Sequence, residues 1–401
     1  MESTRALKVT TPTDLEIVMT RSFDAPRDLV FEAWTRPELV RLWWGLRNQT
    51  LSVCEIDLRP KGAWRFVLRD PDGGEFRFHG VYKRIVSPER LEYSQCFDEP
   101  AIGSPECFVI VTFEEHDGKT TVTSRLLHDS KEARDGHLQS GVEQGSSETL
   151  WRLDELMQDI RLAREVQARL MPRFLPPLQT LDYRGRCLQA RGVGGDFYDF
   201  LALNSGSTGF VLSDIAGKGI PAALLMASLQ ATLRSQWALV LDDLPQLLRS
   251  VNRLFYESTQ SRRFATLFLG VYDDSSRRLR YENCGHNPPL LVGPNGEVKR
   301  LTGTATVLGM MEQLDCSVTE TRLQQDDVLV IYSDGVTEAM NDECELYGEA
   351  RLIEAIRTDR TLPVEDLLEA IIADVTRFAK STQQDDLTLI VARCKGSANA
   401  G

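Results

Sequence analysis

Phe210-Val211-Leu212-Ser213-Asp214-Ile215-Ala216-Gly217-Lys218-Gly219-Ile220-Pro221 decides how this chain is read. An apolar, strand-like run reaches an aspartate, turns at two glycines and enters a helix near Pro221, where a proline suits the first turn because no N–H is needed there. The arrangement carries a carboxylate to the lip of a sheet. Three other stretches of the C-terminal half place aspartates where apolar runs meet small residues: Gly194-Gly195-Asp196-Phe197-Tyr198-Asp199, Ser333-Asp334-Gly335 and Gln384-Asp385-Asp386-Leu387-Thr388. Carboxylates gathered at one lip repel one another and lose solvation, so the arrangement makes physical sense if hard cations occupy it. Gly217-Lys218-Gly219 lacks the GxxxxGK[ST] frame of a phosphate loop, and its glycines are read as turn residues.

The chain around these stretches has 401 residues, which points to two domains of ordinary size. Hydrophobic residues at 42% and charged residues at 26% are those of a globular protein. A net charge of −13, with no basic stripe or reading motif, argues against nucleic acid and against an anionic membrane surface as partners. No apolar run approaches the roughly 20 residues needed to span a bilayer, and Met1-Glu2-Ser3-Thr4-Arg5 leads into polar sequence, so a cytoplasmic location is expected. Cys54, Cys96, Cys107, Cys187, Cys284, Cys316, Cys344 and Cys394 form no CxxC pair and do not cluster with histidine along the chain; they are read as reduced thiols.

In the N-terminal half, Leu15–Phe23 is strand-like and Pro26 opens a helical stretch carrying Leu29, Val30, Ala33 and Trp34. Alternating segments follow. Trp64, Phe66 and Leu68 share a face, Asp70-Pro71-Asp72-Gly73-Gly74 forms a turn, and Phe76 and Phe78 resume the pattern. A second hairpin joins Phe108–Phe113 to Thr121–Leu126 through His116-Asp117-Gly118-Lys119. A curved antiparallel sheet with a helix near its start is predicted. His79, His116, His128 and His137 sit singly in sequence and are assigned to surface or core; Trp34, Trp43, Trp44, Phe66 and Phe78 either line a ligand pocket or fill the core.

The run Ala25-Pro26-Arg27-Asp28-Leu29-Val30-Phe31-Glu32-Ala33-Trp34, with Pro37-Glu38, Trp43-Trp44, Leu58–Phe66 and Gly80-Val81-Tyr82, resembles START-like (SRPBCC) domains of the activator-of-heat-shock-ATPase type, as far as about Met157. Lys61 departs from that family, which has a second glycine there. The resemblance implies a helix-grip fold, a bent sheet around a long C-terminal helix, with room for a small hydrophobic ligand.

Residues 146–172 read as one helix, because Leu150, Leu153, Met157, Ile160, Val166 and Leu170 recur every three or four positions up to Pro172. The helix either docks on its own domain or forms a homodimer and transmits a signal. Its last part, Ala163–Pro172 followed by Leu175-Pro176-Pro177, resembles the first helix of RsbU-type and SpoIIE-type bacterial phosphatases, where this region is a regulatory switch. The expected domains are 1–145, START-like and ligand-sensing; 146–172, a connecting regulatory helix; and 173–401, the phosphatase.

The same family is matched, in order, at Gly192–Asp199, Asp214–Leu224, Phe264–Phe268, Gly285-His286-Asn287-Pro288-Pro289-Leu290, Tyr332–Ala339 and Gln383–Thr388. One such motif would be weak; the ordered set is specific to metal-dependent protein phosphatases of the type 2C-like (PPM) class. The resemblance implies an α/β/β/α sandwich and makes the whole chain a two-domain α+β protein. It also implies two divalent cations, Mn²⁺ or Mg²⁺, about 3.5–4 Å apart, which activate water and clamp the phosphoryl group. By resemblance Asp196 and Asp214 bind metal, Asp214 bridges both ions, the Ile215 carbonyl completes one sphere, and Asp334 and Asp385 bind the second ion. Asp386, adjacent to Asp385 in an extended strand, points to the other face and is a further candidate ligand. Asp199 either orients waters or caps a turn, and His286 is read as structural. Ala216 replaces the histidine of eukaryotic type 2C enzymes, so water or another group must protonate the leaving serine oxygen.

These readings lead to a protein-serine/threonine phosphatase acting on a phosphorylated STAS-domain anti-anti-sigma protein under control of the N-terminal sensor. The rival is a non-catalytic small-ligand or chaperone-cofactor protein with an inactive phosphatase-like scaffold. A degenerate scaffold would be expected to lose ligands, yet the matching aspartates are all present.

Overall fold

The computed structural model describes residues 6–98, 106–190, 192–203, 206–237, 243–259, 263–379 and 385–396. Gln383 and Gln384 of the last motif lie outside them. The chain divides into two compact units, Met1–Leu162 and Ala163–Gly401.

The first unit contains β1 (Lys8–Thr10), β2 (Glu16–Phe23), α1 (Arg27–Thr35), α2 (Pro37–Trp43), β3 (Thr50–Ile56), β4 (Ala63–Arg69), β5 (Glu75–Val86), β6 (Arg90–Asp98), β7 (Glu106–His116), β8 (Lys119–Leu127), α3 (Lys131–Gln139) and the first part of α4 (Val142–Leu170). Pro37 ends one helix and starts the next: the residue before a proline is pushed to extended geometry, and Arg36 has φ −94 and ψ 121. The strands form one antiparallel sheet in the order β1-β2-β8-β7-β6-β5-β4-β3. Ile17, Met19, Arg21 and Phe23 alternate inward on β2, and α4 buries Leu150, Leu153, Leu156, Met157 and Ile160. Arg21 of β2 meets Asp154 of α4 at 3.7 Å in this core.

This is the helix-grip sheet expected from the resemblance. Lys61 has φ 68, a left-handed conformation that favours glycine, the residue the resembling family has at this position. Of the five aromatics expected to line a pocket or fill the core, Trp34, Trp44 and Phe66 face a small cavity together with Trp64, Tyr82 and Tyr93. The cavity measures about 20 Å³, room for a water molecule and little more. Trp43 belongs to the core and donates its indole N–H to the Ala33 carbonyl at 2.8 Å; Phe78 stacks on Phe97.

The second unit opens with the last turns of α4 and continues with β9 (Leu181–Leu188), β10 (Phe197–Ala202), β11 (Ser207–Ile215), α5 (Ile220–Trp237), α6 (Leu244–Thr259), β12 (Ala265–Asp273), β13 (Arg278–Cys284), β14 (Leu290–Val292), β15 (Val298–Arg300), β16 (Thr319–Arg322), β17 (Val328–Tyr332), α7 (Asp334–Thr337), α8 (Gly348–Asp359), α9 (Val364–Ala379) and β18 (Leu387–Cys394). One antiparallel sheet runs β10-β11-β12-β13-β16 and the other β15-β14-β17-β18-β9.

The central strands are apolar on both faces, so strict alternation sends neighbouring residues into different cores. On β11, Phe210 and Leu212 pack between the sheets, whereas Val211 and Ile215 pack under α5 and α6. On β17, Leu329 and Ile331 face the other sheet, and Val328, Val330 and Tyr332 face α8 and α9. Three stacked cores therefore separate helix, sheet, sheet and helix layers. Truncating one of these buried aliphatic side chains to Ala costs about 2–5 kcal/mol.

Candidate active site

Strand register brings the four acidic stretches to one end of the sandwich. Phe197 pairs with Ser213 on β10 and β11, so one step outward Asp196 faces Asp214. On the second sheet Tyr332 pairs with Leu389. Beyond that pair the Ser333 N–H donates to the Thr388 carbonyl at 3.0 Å, and the Thr388 N–H donates back to the Ser333 hydroxyl at 3.0 Å. That closure holds Asp334, the first residue of α7, beside Asp385 and Asp386. The Thr388 hydroxyl donates to Asp196 Oδ2 at 2.6 Å, joining the two sheet ends.

Two glycines make the approach possible. A Cβ on Gly194 would come within 1.8 Å of Asp386 Oδ2, and one on Gly335 within 2.0 Å of the Asp386 carbonyl. Asp386 itself is committed to the backbone: its carboxylate accepts N–H groups from Ala190 at 2.9 Å and Asp196 at 3.4 Å, tying down the loop that carries Asp196. Asp385 instead faces the lip, where Lys218 donates to its Oδ2 at 2.6 Å. The Ile215 carbonyl lies beside Gly195, where a Cβ would stand 2.9 Å from it.

The electrostatics are those of crowded anions. Burial, and then Asp214 and Asp386, hold the Asp196 carboxyl well above its ordinary range. Burial followed by Asp334 and Asp385 pushes Asp214 up to about 7. Asp334 is raised by burial, then by Asp385 and Glu338. Such a set of oxygen donors is costly when empty of positive charge and is matched by hard divalent cations rather than by soft ones.

Residues 204–395 match the family of Stage II sporulation protein E (SpoIIE), and residues 24–158 match that of Activator of Hsp90 ATPase homolog 1-like protein (AHSA1). The chain joins an AHSA1-type domain to a SpoIIE-type phosphatase domain. Within the curated relatives, the chain is 27% identical over 259 residues to Protein IcfG of Synechocystis, covering 58% of this chain and 41% of that protein. It is 26% identical over 249 residues to Phosphoserine phosphatase RsbU of Bacillus subtilis, covering 60% of this chain and 71% of that protein. The SiaA-PP2C domain of Pseudomonas aeruginosa shares the fold, with TM-score 0.54 at 21% identity over 60% of this chain and 98% of that domain. No helix among the described residues is long and apolar enough to cross a membrane.

Around the carboxylates, the SpoIIE-type domain contains polar contacts that motif reading did not assign. Asp199 is fully buried and takes a two-pronged ion pair from Arg234 of α5, at 2.6 and 2.9 Å, so its role lies in anchoring α5 to β10. Gln167, in the last turns of α4 and 3% exposed, donates to the Gly194 carbonyl at 2.7 Å and accepts the Gly194 N–H at 3.1 Å. A polar residue inside the apolar stripe of a helix was the available signal. His286 is buried, with Nδ1 2.8 Å from the Thr266 hydroxyl and its backbone N–H donated to Asn283 Oδ1 at 2.8 Å, contacts that suit a structural role. Gly217 and Gly219 have φ 117 and 74, the turn geometry expected of them, but Lys218 between them reaches the site.

Proposed function

We propose that the chain is a divalent-metal-dependent serine/threonine protein phosphatase. The observation that carries this reading is the convergence of Asp196, Asp214, Asp334 and Asp385 from both sheets at one lip, with the Thr388 hydroxyl bridging the sheet ends. In the proposal Asp196, Asp214 and the Ile215 carbonyl would hold one Mn²⁺ or Mg²⁺, and Asp334 and Asp385, with Asp214, would hold a second. Asp386 joins the set chiefly by fixing the Ala190–Asp196 backbone, with spare lone pairs toward the lip. When bound, such cations supply a nucleophile from water at neutral pH and offset charge on the phosphoryl oxygens.

The chain's own residues do the rest. Thr388 orients Asp196, the Asp386 carboxylate holds its loop, and Lys218 keeps Asp385 at the lip. Ala216 offers no side chain to protonate the leaving serine oxygen, so water or another group supplies that proton. The substrate in this reading is a phosphorylated STAS-domain anti-anti-sigma protein; the relative RsbU, a phosphoserine phosphatase by name, supports the phosphoserine part of it. The AHSA1-type unit acts as sensor for a small hydrophobic ligand, whose entry requires the water-sized aromatic cavity to open, and α4 serves as connector and homodimer contact. Trp151, Leu162 and Val166 are more than half exposed on α4, and their spacing of 11 and 4 places them on one helical face.

Phosphate release from a phosphoserine STAS protein, followed with and without Mn²⁺, tests the reading. Asp214→Asn and Asp334→Asn should each abolish Mn²⁺-dependent turnover while leaving the fold intact. Turnover that survives either change refutes the ligand set.

A further inference from the structure

The histidines of the AHSA1-type unit are isolated in sequence but not in space. On β7 and β8 Phe108 pairs with Leu127, so the next step of the same ladder sets Cys107 opposite His128. His137, in the last turn of α3, folds back onto them. His128 Nε2 and His137 Nδ1 stand 2.9 Å apart, and Cys107 Sγ and one ring nitrogen of each histidine all lie within 4.8 Å of one another. Cys107 and His128 are buried and His137 is partly exposed, which leaves an approach from solvent.

We propose that Cys107, His128 and His137 form a soft-metal site that takes Zn²⁺. Thiolate and imidazole select zinc over magnesium, manganese or calcium, so this donor set is chemically distinct from the carboxylate lip. Tetrahedral zinc, with bonds of about 2.0–2.3 Å, places its ligand atoms about 3.4 Å apart, a modest adjustment from the observed cluster. The second ring nitrogen of His128 is 3.3 Å from the Leu15 carbonyl. A ligand histidine typically donates its other N–H to such a carbonyl, which fixes the ring and leaves Nε2 as the free donor of a lone pair.

The protons balance simply. Coordination releases the Cys107 thiol proton to solvent and moves the His137 ring proton from Nδ1 to Nε2. Three protein ligands leave a fourth position to water or to a small anionic ligand. The site would pin α3 to the open end of the β7–β8 hairpin, with His137 five residues before α4 begins at Val142.

Cobalt is the probe, because Co²⁺ bound by thiolate gives a sulfur charge-transfer band that oxygen ligands cannot produce. The full chain, stripped with EDTA and held in excess Mg²⁺ to fill the carboxylate lip, is titrated with Co²⁺. One equivalent should produce the charge-transfer band and strong tetrahedral visible absorption, both displaced by Zn²⁺. Cys107→Ser and His137→Gln should each lose the band, with far-UV circular dichroism unchanged; Asp214→Asn and Cys96→Ser should keep it. If Cys107→Ser fails to fold, His137→Gln, on the partly exposed helix, decides. A wild-type chain without the band overturns the assignment, as does a band that survives Cys107→Ser or His137→Gln. A band lost instead with Cys96→Ser moves the metal to the exposed His79, Cys96 and Asp98 group and overturns it too.

Discussion

Replacing Gln167 with Ala isolates the contact between the end of α4 and the loop that carries Asp196. Gln167 satisfies both the N–H and the carbonyl of Gly194, two residues before Asp196, in a buried position. Leaving a buried backbone group unpaired costs about 1–3 kcal/mol. Two such groups, partly rescued by water entering the space of the lost side chain, give about 2 kcal/mol. That cost falls on the loop conformation that positions Asp196, so it should appear as weaker metal binding. At 1.4 kcal/mol per factor of ten, the Mn²⁺ concentration for half-maximal activity should rise about 30-fold. The assay is phosphate release from a generic phosphoester across a Mn²⁺ titration. Turnover at saturating Mn²⁺ should stay within about threefold of the wild type, since no group that contacts the phosphoryl centre is removed. An unmoved Mn²⁺ midpoint, or a loss of turnover that saturating Mn²⁺ does not restore, refutes the coupling.

Other consequences follow from buried charge. Arg234→Ala leaves the Asp199 carboxylate buried without its two-pronged partner and should lower stability by about 2 kcal/mol in chemical denaturation, the half-exposed Arg side chain keeping the cost below that of a fully buried pair. Asp154→Ala should cost about 3 kcal/mol, whereas the double change Arg21→Met with Asp154→Leu should recover most of it. Tryptophan fluorescence in urea measures this, because five of the six tryptophans, Trp34, Trp43, Trp44, Trp64 and Trp151, lie in the first unit. Burial raises the Glu282 carboxyl above its ordinary 4.5, so the folded state holds that proton more tightly than the unfolded one. Its contribution to stability is present below pH 4.5 and lost as pH rises through the folded value. Glu282→Gln should therefore raise the melting temperature at pH 8, with the gain vanishing near pH 4.5; a gain that is independent of pH refutes the reasoning.

Much of the active site was legible because its signals are local. An apolar strand, an aspartate and a glycine turn fall within a few residues of one another, and each repeats the same physical instruction: end a strand and expose a carboxylate. The sandwich was expected from the resemblance to the phosphatase family, and strands apolar on both faces fit it because both faces must be covered. The helix read over residues 146–172 from its period is found at Val142–Leu170, starting four residues earlier and ending two residues before Pro172. Motif spacing also marked Lys218 and Asp199 but not their tasks, because both depend on partners far along the chain: Asp385 for the lysine, Arg234 for the aspartate.

By itself, then, the sequence determined where strands end in carboxylates, because alternation, turn chemistry and charge act over short distances, and the two folds were legible through the resemblance of the ordered motifs to known families. Only the tertiary structure decided that Asp386 holds the backbone N–H groups of Ala190 and Asp196, that Gln167 clamps Gly194, and that Cys107, His128 and His137 meet. These depend on strand register and on a helix folding back over a sheet edge. A pairing between residues 21 positions apart leaves no periodic trace in the chain.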